Sequence, residues 1–148
     1  MKIFLAADHN GFHLKQQIID YLRKQNVDTE DVGDKQYDAQ DDFPVFATAA
    51  VVKILSSDDK DPRGILICGS GQGMLMAANR FKGVRAGLGY NVASAKSIRN
   101  DENSNVLALP AEILKQEKDW QPIIDTWLKT PFANAPRYIR RNRELDEI

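Results

Sequence analysis

The chain carries one cysteine, Cys68, at the junction of an apolar run and a glycine-rich stretch, 64-GILICGSGQGM-74. A thiolate is a base and a nucleophile, and it forms most readily where backbone N–H groups and a helix start supply partial positive charge. Gly69, Gly71 and Gly73 alternate behind the cysteine, with Ser70 and Gln72 between them. Glycines let peptide N–H groups come close to an anion, so Gly69–Gly73 suit a phosphate or a developing enediolate. The plainer reading of the same residues is a tight strand-to-helix turn preceded by a buried small hydrophobe. The stretch lacks the lysine of a phosphate-binding P-loop, and its glycines do not fit the dinucleotide fingerprint. A second polar cluster, Asp8-His9, follows the apolar run 2-KIFLAA-7. Arg137 and Arg141 are four apart and share one helix face, which suits the oxygens of a phosphate. The alternative for that face is a solvated surface pairing with Glu144 and Asp146.

The elements that must position these groups alternate along the chain. Strands are expected over 2–7, weakly over 27–32, and over 64–68, 84–90 and 105–110. Helical spacing marks 12–25, 45–55 behind Pro44, 74–81, 92–101, 111–127 with a break near Pro122, and 134–148. Asn10 is the expected cap of the first helix. The segment 64-GILIC-68 is apolar at every position, so both of its faces must be covered, as in a parallel sheet. Five strands alternating with helices imply a three-layer α/β/α sandwich around a five-stranded parallel, Rossmann-like sheet, with residues 1–148 as one domain. Ligands of such sheets bind beyond the carboxyl ends of the strands. Asp8, His9 and the loop from Cys68 to Gly73 all fall at such ends.

Composition narrows the function classes. The formal net charge is -1, which gives no basic field for nucleic acid. No apolar run approaches the roughly 20 residues of a membrane span. The start of the chain reads as a strand and not as an export signal, and one cysteine excludes an intrachain disulfide framework, so a cytoplasmic setting is expected. One cysteine and two histidines, His9 and His13, leave too few soft ligands for a zinc site, and no cofactor is expected.

Several stretches together resemble the family of ribose-5-phosphate isomerase B and galactose-6-phosphate isomerase. They are AADHNGFHLK near the start, DDFP at 41–44, GILICGSGQGMLMAAN at 64–79, GVRA at 83–86, SNVLAL at 104–109, and the Arg137/Arg141 pair. The resemblance runs over nearly the whole chain in the family's order. It implies a metal-free aldose–ketose isomerase that works through a cis-enediolate, with ribose 5-phosphate and ribulose 5-phosphate as the leading pair. It implies Cys68 as base, the N–H groups of Gly69, Ser70, Gly71, Gln72 and Gly73 as oxyanion donors, and Ser70 as a proton relay between the two oxygens. Asp8 would bind sugar oxygens and help open the ring, and His9, Arg137 and Arg141 would face the substrate or its phosphate. In the family the last helix, here about 134–148, reaches a neighbouring subunit. The resemblance therefore implies a homodimer or a dimer of dimers acting on a small sugar phosphate.

The chain departs from the family pattern in one direction. Asp101 stands where a ring-opening histidine is usual, Glu102 where an asparagine is, and Glu112 where a further arginine is expected. Tyr138 and Phe43 replace a usual histidine and tyrosine. Asp101 can still act as a general base, although a weaker one at neutral pH than an imidazole. These acidic replacements point to two alternatives: the same chemistry on another aldose, phosphorylated or not, or a non-catalytic sugar-phosphate binder.

Overall fold

The computed structural model describes residues 1–148. Its elements run β1 (Lys2–Ala7), α1 (Phe12–Lys24), β2 (Asp28–Asp31), α2 (Phe43–Leu55), β3 (Pro62–Cys68), α3 (Gln72–Ala78), β4 (Ala86–Leu88), α4 (Val92–Asn100), β5 (Val106–Pro110), α5 (Glu117–Lys129) and α6 (Pro136–Asp146). The sheet order is β2-β1-β3-β5-β4, and every pairing is parallel. No helix is long and apolar enough to cross a membrane.

The strand pleat sorts the apolar residues into two cores. Ile3, Leu5, Ala7, Ile65, Ile67, Leu107 and Leu109 face α1, α4 and α5, where Ile18, Leu22, Ala95, Trp120 and Trp127 meet them. Phe4, Ala6, Leu66, Cys68 and Val106 face α2 and α3, where Ala47, Ala50, Val51, Ile54, Met74 and Ala78 pack. The result is the expected three-layer sandwich. Because β1 is followed by α1 on one face and β3 is reached through α2 on the other, the chain reverses direction across the sheet between β1 and β3. That is a topological switch point, where the crevice beyond the strand ends is open.

The differences from the sequence expectations have local causes. β2 and β4 are short edge strands with one neighbour each, and β4 keeps three residues of the seven expected. α5 starts at Glu117 and not near 111 because the N–H groups of Ala111 and Glu112 donate to Cys68 and Gly69 carbonyls at 2.9 Å each. Those bonds tie the segment to the end of β3. Pro122 lies inside α5 without ending it. The cap position of α1 is Gly11, with no side-chain cap, and Asn10 turns elsewhere.

Candidate active site

The turn after β1 is built around Asp8. Its Oδ1 accepts from the N–H groups of Asn10 at 3.0 Å and Gly11 at 3.1 Å, the local bonding that makes aspartate a turn former. The Asp8 N–H donates to the Ile67 carbonyl at 3.2 Å, which pins the turn to β3. Gly11 is obligatory there: a Cβ would stand 2.5 Å from the Ile67 oxygen. Burial holds the Asp8 carboxyl above its ordinary range, against the two N–H bonds and the neighbouring His9, which pull it down.

His9 projects from the same turn. Its Nδ1 lies 2.6 Å from Asp41 Oδ1, and its backbone N–H donates to the same oxygen at 3.1 Å. Asn10 Nδ2 sits 3.0 Å from Nε2 on the other side of the ring. The hydrogen bond to Asp41, helped by the field of Asp8 and Asp38, raises the imidazole above its ordinary value.

The turn after β3 carries the thiol. Cys68 is 5% exposed and closes the core against α2 and α3. Gly71 has φ +77°, the left-handed conformation that favours glycine, and a Cβ on it would meet Leu88 Cδ1 at 2.5 Å. Ser70 is exposed, and its Oγ accepts from the Gln72 N–H at 3.3 Å. The N–H groups of Gly69, Ser70, Gly71 and Gly73 donate to no group of the chain. Gly73 lies under the Phe43 ring. Glu112 faces this loop: its Oε1 would be 2.6 Å from a Cβ on Gly69.

Asp8, His9 and Cys68–Gly73 thus share one rim, at the switch point between β1 and β3. Asp101, Arg137 and Arg141 do not join them within the chain. Asp101 follows α4 at the amino ends of the strands, and its carboxylate accepts from Asn100 Nδ2 at 2.7 Å and from the Ser97 hydroxyl. α6 packs at that same end, with Asn142 Nδ2 on the Asp101 carbonyl and Asp146 on Arg85. The five residues of β5 alone span roughly 15 Å, so no side chain bridges the two ends. The carboxylates expected to cover Arg137 and Arg141 go elsewhere: Glu144 pairs with Arg140 and Asp146 with Arg85. A cleft of about 390 Å³ beside β4 and the end of α6 holds none of the candidate catalytic residues. No three His, Cys, Asp or Glu side chains converge as a metal-binding group.

Sequence reasoning missed two neighbours of His9. Asp41 belongs to the DDFP stretch but carries no role there, and Asn10 reads as a cap. The signal for Asp41 was its place at a second acidic cluster close ahead of a helix.

Comparison with known proteins follows the same lines. The family model described as Ribose/Galactose Isomerase matches residues 3–147. A probable ribose-5-phosphate isomerase B of Mycoplasma genitalium is 38% identical over 146 residues, covering 99% of this chain and 92% of that protein. Ribose-5-phosphate isomerase B of Mycolicibacterium paratuberculosis is 36% identical over 95% of this chain and 87% of its own length. Among solved structures, a ribose 5-phosphate isomerase of Thermotoga maritima superposes with TM-score 0.92 at 39% identity, covering 99% of this chain and 98% of that one. The Mycoplasma genitalium isomerase B with bound ribulose-5-phosphate also gives 0.92, at 37% identity over 99% and 94% of the two chains.

Proposed function

Because this chain belongs to the ribose/galactose isomerase family, we propose that it interconverts an aldose phosphate and its ketose, ribose 5-phosphate and ribulose 5-phosphate first, through a cis-enediolate. The single observation that carries the reading is the switch-point rim, where a thiol, four uncommitted loop amides, a buried carboxylate and an imidazole meet. In the open-chain sugar, the Cys68 thiolate takes the proton from C2 of the aldose. The electron pair forms the C1–C2 double bond, and the carbonyl oxygen becomes the oxyanion. The free N–H groups of Gly69, Ser70, Gly71 and Gly73 receive that charge, a kind of contact that contributes several kcal/mol in comparable sites. Ser70 carries the hydroxyl proton from O2 to O1, and the Cys68 thiol returns its proton to C1. Asp8 accepts from sugar hydroxyls and assists ring opening, and His9 faces the phosphate.

Arg137, Arg141 and Asp101 complete the site from a second copy, because in one chain they lie at the wrong end of the sheet. A homodimer in which α6 of each protomer reaches the partner's rim puts them in place. Both arginines leave their guanidinium groups free of ion pairs within the chain, which supports a phosphate-binding role.

One observation favours a second reading. Glu112 stands against Gly69 of the loop, and a carboxylate beside a bound substrate accepts from hydroxyls and repels a phosphate. The same chemistry on a less anionic aldose fits that residue.

Solvent deuterium exchange tests both. In heavy water the wild-type protein places deuterium at C1 or C2 of ribose 5-phosphate, and Cys68→Ala places none. Exchange confined to another aldose selects the second reading. No exchange with any aldose leaves only a sugar-phosphate binder, and undiminished exchange by Cys68→Ala overturns the base assignment.

A further inference from the structure

The residue that governs His9 lies outside the machinery assigned above. Asp41 sits just ahead of α2, 32 positions along the chain from His9, so only the fold brings them together. Its side chain is 6% exposed, against 28% for the imidazole. A carboxylate this far from water is costly unless paired. Its Oδ1 takes both of its hydrogen bonds from His9, one from the ring and one from the backbone, while Oδ2 is buried with no partner. Asp41 is therefore committed to one residue.

The loop that carries it is anchored independently. Lys15 is fully buried and donates to Asp31 Oδ1 at 2.9 Å and to the Asp34 carbonyl at 2.6 Å. Farther along, Tyr37 stacks on His13 with ring centroids 6.0 Å apart. These contacts seat residues 31–37 against α1, so Asp41 arrives at His9 from a fixed base.

Resting on the isomerase reading, we infer that Asp41 is a positioning residue: it holds the proton on Nδ1 of His9 and turns Nε2 outward to the anionic group of the substrate. The logic is that of a buried carboxylate orienting an imidazole in hydrolytic triads. Asn10 completes the arrangement. In the neutral ring, Nε2 accepts from the Asn10 amide. When the ring is charged, Nε2–H becomes a donor and meets either the Asn10 carbonyl or a substrate oxygen. The charged groups acting on the ring are Asp41, Asp8 and Asp38, all carboxylates, and all favour the cation. The edge of Tyr37, 6.5 Å away between centroids, is the aromatic neighbour.

His9 and His13 are the only histidines, so proton NMR resolves both, with His13→Gln giving the assignment. In the wild type His9 titrates above the ordinary value of 6.5 and carries its proton on Nδ1 when neutral. Asp41→Asn keeps an oxygen for the backbone N–H but loses the charge. It moves the His9 midpoint to lower pH. With ribose 5-phosphate, KM rises about tenfold at a pH between the two His9 midpoints, where only the wild-type ring is charged, the effect shrinks at lower pH where both rings are charged, and kcat changes far less. Asp41→Glu recovers part of the His9 midpoint. An unmoved His9 midpoint in folded Asp41→Asn overturns the proposal. If that variant does not fold, a wild-type His9 midpoint at or below 6.5 overturns it instead. The titration needs no turnover, so failure of the isomerase reading appears separately, as a normal NMR result without activity.

Discussion

Substituting Gly11 by alanine tests whether the two halves of the rim are held rigidly together. The backbone of Gly11 has φ -96° and ψ -6°, which alanine adopts without strain, so the effect is purely one of space. The new Cβ would lie 2.5 Å from the Ile67 oxygen, 2.7 Å from its carbonyl carbon and 2.7 Å from its Cγ2. Ordinary contacts between such atoms begin near 3.5 Å, so the turn must withdraw by about 1 Å. Ile67 cannot give way, because β3 is paired on both sides, to β1 and to β5. Overpacking of this kind costs about 1–3 kcal/mol, and the Asp8 N–H bond to the same carbonyl adds about 1 kcal/mol when lost. The stiffer unfolded chain returns about 0.4–1 kcal/mol. The net is roughly 2–3 kcal/mol, or a midpoint lowered by about 4–12 °C in calorimetry for a chain of this size. Because Asp8 and His9 move away from Cys68, the isomerisation rate falls on the order of 100-fold. Gly69→Ala is the control: its Cβ meets the flexible end of Glu112, so its midpoint shifts by no more than about 3 °C. A Gly11→Ala protein with wild-type midpoint and rate would refute the idea that this contact sets the rim.

Three further outcomes follow from particular contacts. Cys68→Ala and Arg141→Ala homodimers are each inactive. Their mixture after subunit exchange recovers about a quarter of wild-type activity, since half the dimers are hybrid with one intact site each, and no recovery would place the arginine in its own chain's site. Asp8 is raised by burial, so its contribution to stability is full below its ordinary value of 3.8 and is lost as pH rises through the folded value. Asp8→Asn therefore gains midpoint relative to wild type at pH 7 more than at pH 4 while losing activity, and a pH-independent difference would contradict the assignment. Ser104 accepts from Trp127 Nε1 at 2.8 Å deep in the core, so Ser104→Ala strands an indole N–H at a cost of about 1–3 kcal/mol, read as a midpoint fall of roughly 3–10 °C.

The parts of this fold legible in the sequence are those with an unbroken physical signature. β1 and β3 are apolar at nearly every position because both faces are covered, and their burial is near complete. The edge strands are fainter: β2 reads DTED, and pairing on one side alone gives it little apolar pattern, so the sequence marks only a weak strand over 27–32 and overextends β4. The start of α5 was illegible for a different reason. The helical spacing of 111–127 is real, but Ala111 and Glu112 are claimed by carbonyls of residues 68 and 69, a contact made only in the folded sheet. In the site, Asp8 and Cys68 could be set on one rim because each ends a strand of a parallel sheet. The Asp41–His9 pair spans 32 positions with no periodicity linking them, so nothing local encodes it.

The same topology decides what one chain cannot do. In a parallel sheet each helix returns the chain to the amino ends of the strands, so residues after a helix sit opposite residues after a strand. Cys68, Asp8 and His9 follow strands, whereas Asp101 follows α4, and Arg137 and Arg141 lie beyond α5. No choice of rotamer closes a gap of roughly 15 Å, the rise of β5. If the arginines hold substrate, they do so across a subunit boundary, and the polar character of α6 acquires a cause. Arg137 and Arg141 are free of ion pairs with the helix's own carboxylates, because Glu144 is taken by Arg140 and Asp146 by Arg85.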